Sequence, residues 1–246
     1  MDSFKQRLIV DIGNTFYKYL FGGIVLSCKD PKIIFENFKR VNIEIAVCYY
    51  SSVNKANLRK LKEAFKDSEF IELKNTVTEE ELEKMKLIVD NFSYLGDDMF
   101  FDLCGGHASS LLVDIGTANK ILYIDENGKF QGGAIGVGFY MHNKALSDNT
   151  SLLELFDVTL PPDLISLNTK DAINASLLYG EAFKVISYYR YYLKRNPDLK
   201  LIVSGGGAKL LMQVFSKLNF DSYIYVDSLV LKGMRRVLSL KGEEND

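Results

Sequence analysis

The run Asp11-Ile12-Gly13-Asn14-Thr15-Phe16-Tyr17-Lys18 follows the apolar residues Leu8, Ile9 and Val10. A carboxylate at the end of a buried strand, then a tight glycine turn, then a hydroxyl residue can hold magnesium and phosphate together. Mg²⁺ is a hard ion that keeps much of its water, so Asp11 would hold it largely through water. Gly13 lets the backbone approach a phosphate, the turn N–H groups with Asn14 and Thr15 supply donors, and Lys18 adds charge. The same residues also suit a plain hairpin turn in which Asp11 and Asn14 serve only their own backbone. A second copy shifts that balance: Asp114-Ile115-Gly116-Thr117 ends another apolar run, 103 positions after Asp11. That spacing is about one small domain and points to two similarly built halves. A third element, Ser204-Gly205-Gly206-Gly207-Ala208, leads from Leu201-Ile202-Val203 into a helical pattern. Its missing side chains would admit a flat group such as adenine or ribose. No Gly-Lys-Ser/Thr follows, and the spacing is not that of a dinucleotide fingerprint.

Gly96-Asp97-Asp98-Met99 places two adjacent carboxylates ahead of the helical pattern Met99–Cys104. Acidic residues at that place also serve as an ordinary helix start. Cys104 and His107 flank Gly105-Gly106 like a thiol–imidazole pair, but no third orienting group accompanies them. Tyr140, His142 and the tyrosine-rich run 188–192 read as core or interface residues.

The elements that must position these groups follow from periodicity. Residues 41–53 read as a buried strand, and 54–68 as an amphipathic helix with Leu58, Leu61, Ala64 and Phe65 on one face, capped by Asn54 or Asn57. Residues 70–74 alternate like a strand, and 78–92 open with the acidic turn that suits a helix. A helix is expected around 139–147 and an extended loop over 159–167, which holds two of the four prolines. The longest helix is expected over 169–196, with Leu178, Ala182, Val185 and Tyr189 on one face and Ile173, Leu177 and Gly180 on another. Strands alternating with helices give an α/β architecture. The closing Lys-Gly-Glu-Glu-Asn-Asp reads as a frayed tail.

Composition narrows the partners. The 246 residues carry 30 Lys+Arg against 32 Asp+Glu, a net charge of −2, which removes the basic surface that nucleic acid or an anionic membrane would call for. No apolar run approaches the roughly 18 residues of a membrane span, and Met1-Asp2-Ser3 leads directly towards strand-like sequence with no signal core. Cys28, Cys48 and Cys104 are widely spaced and odd in number, which fits reduced buried thiols in a cytoplasmic protein.

Two Asp-x-Gly loops about one domain apart, followed by a late strand–Gly-Gly–helix, resemble the acetate and sugar kinase, heat-shock chaperone and actin superfamily. Within it the chain resembles the type III pantothenate kinase family. LIVDIGNT, LGDD, VDIGTA, GKFQGGAIGVG, SLNTKDAINASLLYG, VSGGGAKLL and LVLKG occur in family order from about residue 8 to 234. The resemblance implies two ribonuclease H-like (actin-like ATPase) halves, residues 1–106 and 107–246, with a nucleotide cleft between them. It implies ATP-dependent phosphorylation of pantothenate to 4′-phosphopantothenate, the first step of coenzyme A biosynthesis, by a cytoplasmic homodimer acting on a small molecule.

Carried over residue by residue, Asp11 would organise Mg²⁺ and Asp114 a monovalent cation, K⁺ or NH₄⁺. Ile12 to Lys18, Thr117, Gly205, Gly206 and Gly207 would line ATP. Gly96, Asp97, Asp98, Met99 and Thr169 would line the substrate, with Asp98 as the base. A carboxylate in that role orients the attacking hydroxyl and accepts its proton, while positioning and charge neutralisation do most of the work. Two positions depart from the family pattern: Met99 stands where the family has Arg, and Val89 where it commonly has Tyr. Met cannot clamp a carboxylate as a guanidinium does. Two rival readings are therefore a kinase for another small alcohol and a nucleotide-binding regulator or scaffold.

Overall fold

The computed structural model describes residues 4–21 and 23–243. The sequence readings for Met1-Asp2-Ser3 and for the last three residues of the tail lie outside them. The chain divides into two compact units, one built from residues up to His107 together with those from Ser228 onward, the other from Ala108–Asp227.

The first unit opens with β1 (Phe4–Ile12), β2 (Tyr17–Phe21) and β3 (Ile24–Cys28), an antiparallel meander in which Leu8, Val10, Ile12, Tyr17 and Tyr19 supply the core. A parallel partner needs a crossover. Helix α1 (Pro31–Arg40) provides it: Asp30 caps Lys32 N–H, Pro31 pre-sets the first turn, and Ile34 and Phe38 are buried. β4 (Ile43–Ser52) then runs parallel to β1. α2 (Lys55–Ala64) begins at Asn54, whose side chain accepts from the N–H groups of Ala56 and Asn57, so Asn54 is the cap. It leads to β5 (Glu69–Glu72), parallel to β4, and to a 3₁₀ turn over Leu73–Thr76.

The helix expected over 78–92 is shorter. α3 spans Glu79–Lys84, opened by a Thr78–Glu81 capping box. Lys86 adopts a left-handed φ of 53°, its N–H returns to the Glu83 carbonyl, and Leu87 N–H returns to Leu82. This paired closure with buried Leu82 and Leu87 is a Schellman stop that the acidic, lysine-rich composition does not announce. α4 (Asp97–Gly105) closes the segment.

The second unit repeats the plan. β6 (Ser110–Ile115), β7 (Ala118–Ile124) and β8 (Phe130–Val137) form the meander, followed by α5 (Phe139–Asn149) and α6 (Thr169–Leu193). β9 (Lys200–Ser204), α7 (Ala208–Lys217) and the short β10 (Ile224–Tyr225) complete it. The first sheet has the order β3-β2-β1-β4-β5 and the second β8-β7-β6-β9-β10, with matching directions throughout. The fold is α/β with two sheets of one strand order, the two similarly built halves that the echo of Asp-Ile-Gly pointed to and the ribonuclease H-like pair that the family resemblance implied.

The last helix, α8 (Leu229–Leu240), belongs to the first unit and packs on α4 and β1. A single cut at 106/107 therefore misses one feature of the chain. Gly233 permits the contact, because a Cβ there would overlap the Phe101 carbonyl. Arg236 fastens it by donating to the carbonyls of Cys104 (3.2 Å), Gly106 (2.8 Å) and Met85 (2.8 Å). No helix among the described residues is long and apolar enough to cross a membrane.

Candidate active site

Asp11 lies one residue before the end of β1 and is 8% exposed. It pairs in register with Lys18 on β2 and with Ser51 on β4, and directly paired residues share a face of the sheet. The turn is closed by Gly13 N–H donating to the Phe16 carbonyl at 3.0 Å. Asn57, one turn into α2, donates to the carbonyls of Gly13 (2.9 Å) and Asn14 (3.3 Å), and Asn54 donates to the Asn14 side chain (3.2 Å). Asn14 and Thr15 are exposed at the tip, and Phe16 lies under the Lys29 ammonium. Ile12 and Tyr17 instead belong to the core. The Tyr17 hydroxyl donates to the Asn57 carbonyl, and burial, then the neighbouring Cys28 and Asp30, push its pKa up to about 12.

Ser51 was invisible to sequence reasoning as a site residue. Its hydroxyl is fully buried beside Asp11 and has no hydrogen-bond partner among the described residues. A buried polar atom left in this state calls for a ligand or water. Asp11 with the orphaned Ser51 Oγ therefore fits a hydrated Mg²⁺, which takes one or two protein oxygens and fills its remaining positions with water and phosphate. No group of three or more His, Cys, Asp or Glu able to hold a metal occurs among the described residues.

The acidic pair opens α4 from the N-cap Gly96, so both carboxylates sit on the helix's positive end. Their surroundings differ. Asp97 is held on both oxygens: Ser52 N–H donates to Oδ2 at 3.4 Å, and Lys74 Nζ stands 3.6 Å from Oδ1. Asp98 turns back over Gly96 and accepts from Met99 N–H at 2.8 Å. Lys74 comes from the 3₁₀ turn after β5, donates to the Leu95 carbonyl and lies over the Phe100 ring. It brings a cation from a distant part of the sequence to the start of α4. Glu72 also reaches Asp97: burial first, then the Asp97 charge and a hydrogen bond to it, raise the Glu72 pKa. Val89 is part of the buried interior, and Met99 is half-buried in the first turn of α4.

In the second unit, Asp114 lies one residue before the end of β6 and directly opposite Lys120 on β7, and Lys120 Nζ lies 3.0 Å from Asp114 Oδ2. Thr117 is at the turn, and its carbonyl accepts from Gly138 N–H at 3.0 Å. The glycine run leaves less space than its composition implies. Gly205 has φ of 98°, and a Cβ there would overlap Asp114 Oδ1 and the Ile115 backbone. A Cβ on Gly207 would overlap the Ile115 side chain, whereas one on Gly206 would meet nothing. Of the three, Gly206 alone faces open space. Thr169 is the exposed first residue of α6, next to the Asn168 cap.

Cys28, Cys48 and Cys104 are free and buried, as expected. Burial raises the thiol pKa to about 11 in Cys28 and about 12 in Cys48, and raises it further in Cys104, so the Cys104–His107 neighbourhood has no activated nucleophile.

A family model described as type III pantothenate kinase matches residues 30–190. A type III pantothenate kinase of Bifidobacterium animalis is 31% identical over 160 residues, covering 62% of this chain and 60% of that protein. One of Borrelia hermsii is 31% identical over 153 residues, covering 59% and 56%. The matched part thus spans little more than half the length of these two relatives. With a Flavobacterium psychrophilum type III pantothenate kinase the match extends over 233 residues at 27% identity, 87% of this chain and 94% of that one. Among solved structures, a conserved Baf family protein from Campylobacter jejuni, described as a transcriptional activator, superposes with a TM-score of 0.62 at 24% identity over 96% of this chain and all of that one. It shares the fold. The family match covers well over half of the sequence, and the chain belongs to the type III pantothenate kinase family.

Proposed function

We propose that this protein transfers the γ-phosphoryl group of ATP to the primary hydroxyl of pantothenate, giving 4′-phosphopantothenate in the first step of coenzyme A biosynthesis. The observation that carries the reading is the segregation of two adjacent carboxylates. Asp97 is tied to Lys74 and Ser52, whereas Asp98 is turned over Gly96 at the opening of α4. Asp98 is then the base, accepting the hydroxyl proton as the oxygen attacks phosphorus and ADP leaves.

Asp11 and Ser51 would hold the hydrated Mg²⁺, which supplies charge neutralisation for the phosphates when bound. Asn14, Thr15, Lys18 and Thr117 supply donors to the phosphates, and Gly206 lets the nucleoside approach the backbone. Gly205 and Gly207 act by shaping the turn. Gly96, Met99 and Thr169 are assigned to the acceptor. Lys74 supplies the positive charge for the pantothenate carboxylate, a role that Met99 cannot fill.

The same reading makes the protein a cytoplasmic homodimer. Exposed Tyr140 and Met141 on α5, with Phe183, Tyr188 and Tyr191 on α6, support a self-association surface. Light scattering should give twice the 27.9 kDa chain mass, and a monomer contradicts it. Incubation with ATP, Mg²⁺ and pantothenate should yield a phosphorylated product by mass spectrometry. The half-buried Met99 favours one second reading, a kinase for another small alcohol. A panel of hydroxyl acids and their neutral amides separates the two.

A further inference from the structure

The fit of a monovalent cation at Asp114 fails on the geometry. Asp114 and Lys120 are directly opposed across the β6–β7 pair, on one face of the sheet. Their Nζ–Oδ2 distance is 3.0 Å, and the side chains retain only 5% (Lys120) and 15% (Asp114) of their exposure. The other carboxylate oxygen, Oδ1, lies against Gly205, where no side chain can enter. The carboxylate is therefore neutralised on one oxygen by Lys120 and approached on the other by the Gly205 backbone. A K⁺ or NH₄⁺ ion at Asp114 would meet a second positive charge a few ångströms away in a dry setting, where like charges repel strongly. It would also need several oxygens, and one of the two that Asp114 offers is already taken by the Lys120 ammonium.

We propose that Lys120 is a built-in replacement for the monovalent cation: its ammonium does at Asp114 what an added K⁺ or NH₄⁺ would do, and the protein has no need of either ion. The chemistry matches, since a lysine ammonium carries the same unit charge as NH₄⁺ and donates through the same N–H groups. Tethering the charge to β7 removes the entropic cost of capturing a free ion. Removal of one member of such a desolvated pair leaves the other charged and uncompensated. The Lys120-deleted protein is therefore the form that should bind an ion. This proposal takes from the kinase reading only the idea that Asp114 marks an ion position, and its principal readout does not use turnover.

The experiment is thermal unfolding of the full chain in KCl, NH₄Cl and tetramethylammonium chloride at equal ionic strength. The wild-type midpoint should be the same in all three. Lys120→Thr should unfold at lower temperature in tetramethylammonium chloride and recover by roughly 5 °C or more in KCl or NH₄Cl, the size expected of a ligand well above its Kd. A wild-type midpoint that rises in K⁺ or NH₄⁺ overturns the proposal. So does a Lys120→Thr protein that no ion restores, since Lys120 would then be only a structural partner. Should Lys120→Thr not fold, Lys120→Gln is read in the same way. Turnover, if present, should be equal in K⁺ and tetramethylammonium for the wild type. Absence of turnover in every salt would count against the kinase reading, while the thermal result would still decide the role of Lys120.

Discussion

Lys74 Nζ lies 3.6 Å from Asp97 Oδ1 while donating to the Leu95 carbonyl, so one buried ammonium braces the segment that runs from Leu95 into Asp98. Glu72, Asp97 and Asp98 would together repel an anionic acceptor, and Lys74 supplies a charge that offsets them. Lys74→Met should raise KM for pantothenate by roughly 10–100-fold, the worth of a charge-assisted hydrogen bond. It should leave KM for the neutral alcohol analogue pantothenol nearly unchanged, and Lys74→Arg should keep most of the preference for the acid. Equal losses on both substrates would reduce Lys74 to a loop anchor.

Asp98→Asn should fold and bind ATP but lose roughly 10²–10⁴-fold in kcat, the usual contribution of a positioned base. Asp97→Asn is the informative neighbour. It removes the charge that faces Lys74 and leaves one acceptor oxygen where Asp97 has two, so its effect should fall mainly on thermal midpoint and KM. If the two variants exchange these phenotypes, the assignment of the base moves to Asp97.

Glu72 gives a pH signature. Its carboxyl pKa is raised by burial and then by Asp97, so the fold favours its protonated form. A raised carboxyl contributes stability that is complete below its unfolded pKa, near 4.5, and is lost as pH rises through the folded value. Glu72→Gln keeps a neutral side chain at every pH. Its melting midpoint should exceed that of the wild type at neutral pH, on the order of a few °C, and converge with it at acid pH. A difference that does not change with pH would show that neither burial nor Asp97 raises this carboxyl.

Two glycines should resist alanine for different reasons. Gly205→Ala forces a left-handed residue and drives a methyl into Asp114 and Ile115, so it should impair both stability and nucleotide binding. Gly233→Ala should separate α8 from α4 at the Phe101 carbonyl and cost stability alone, about 1–3 kcal/mol or more by overpacking. Gly206→Ala meets no atom and should fold normally, and any effect on ATP affinity then reports the nucleoside. Denaturant melts with and without an ATP analogue read all three.

Much of the plan was legible because its signals are local. Asp-Ile-Gly at the ends of two apolar strands announced a repeated unit, and the two sheets share one strand order. An asparagine cap on α2 and the long α6 followed from side-chain chemistry and periodicity, with the structure choosing Asn54 over Asn57. Three things were not legible. The Schellman stop at Lys86 uses a residue with no preference for left-handed φ, fixed here by burial of Leu82 and Leu87. The return of α8 to the first unit depends on contacts far apart in the chain, through Gly233 and Arg236. Lys74 becomes a neighbour of Asp97 in the first unit only through a 3₁₀ turn, and Lys120 a neighbour of Asp114 in the second only through a strand register. No spacing rule links them.

The most direct measurement of the central claim is ADP release by the purified protein with ATP and Mg²⁺, with and without pantothenate. Pantothenate-dependent release that disappears in Asp98→Asn is the predicted result. ATP binding without any pantothenate-dependent ADP release would contradict the assigned reaction.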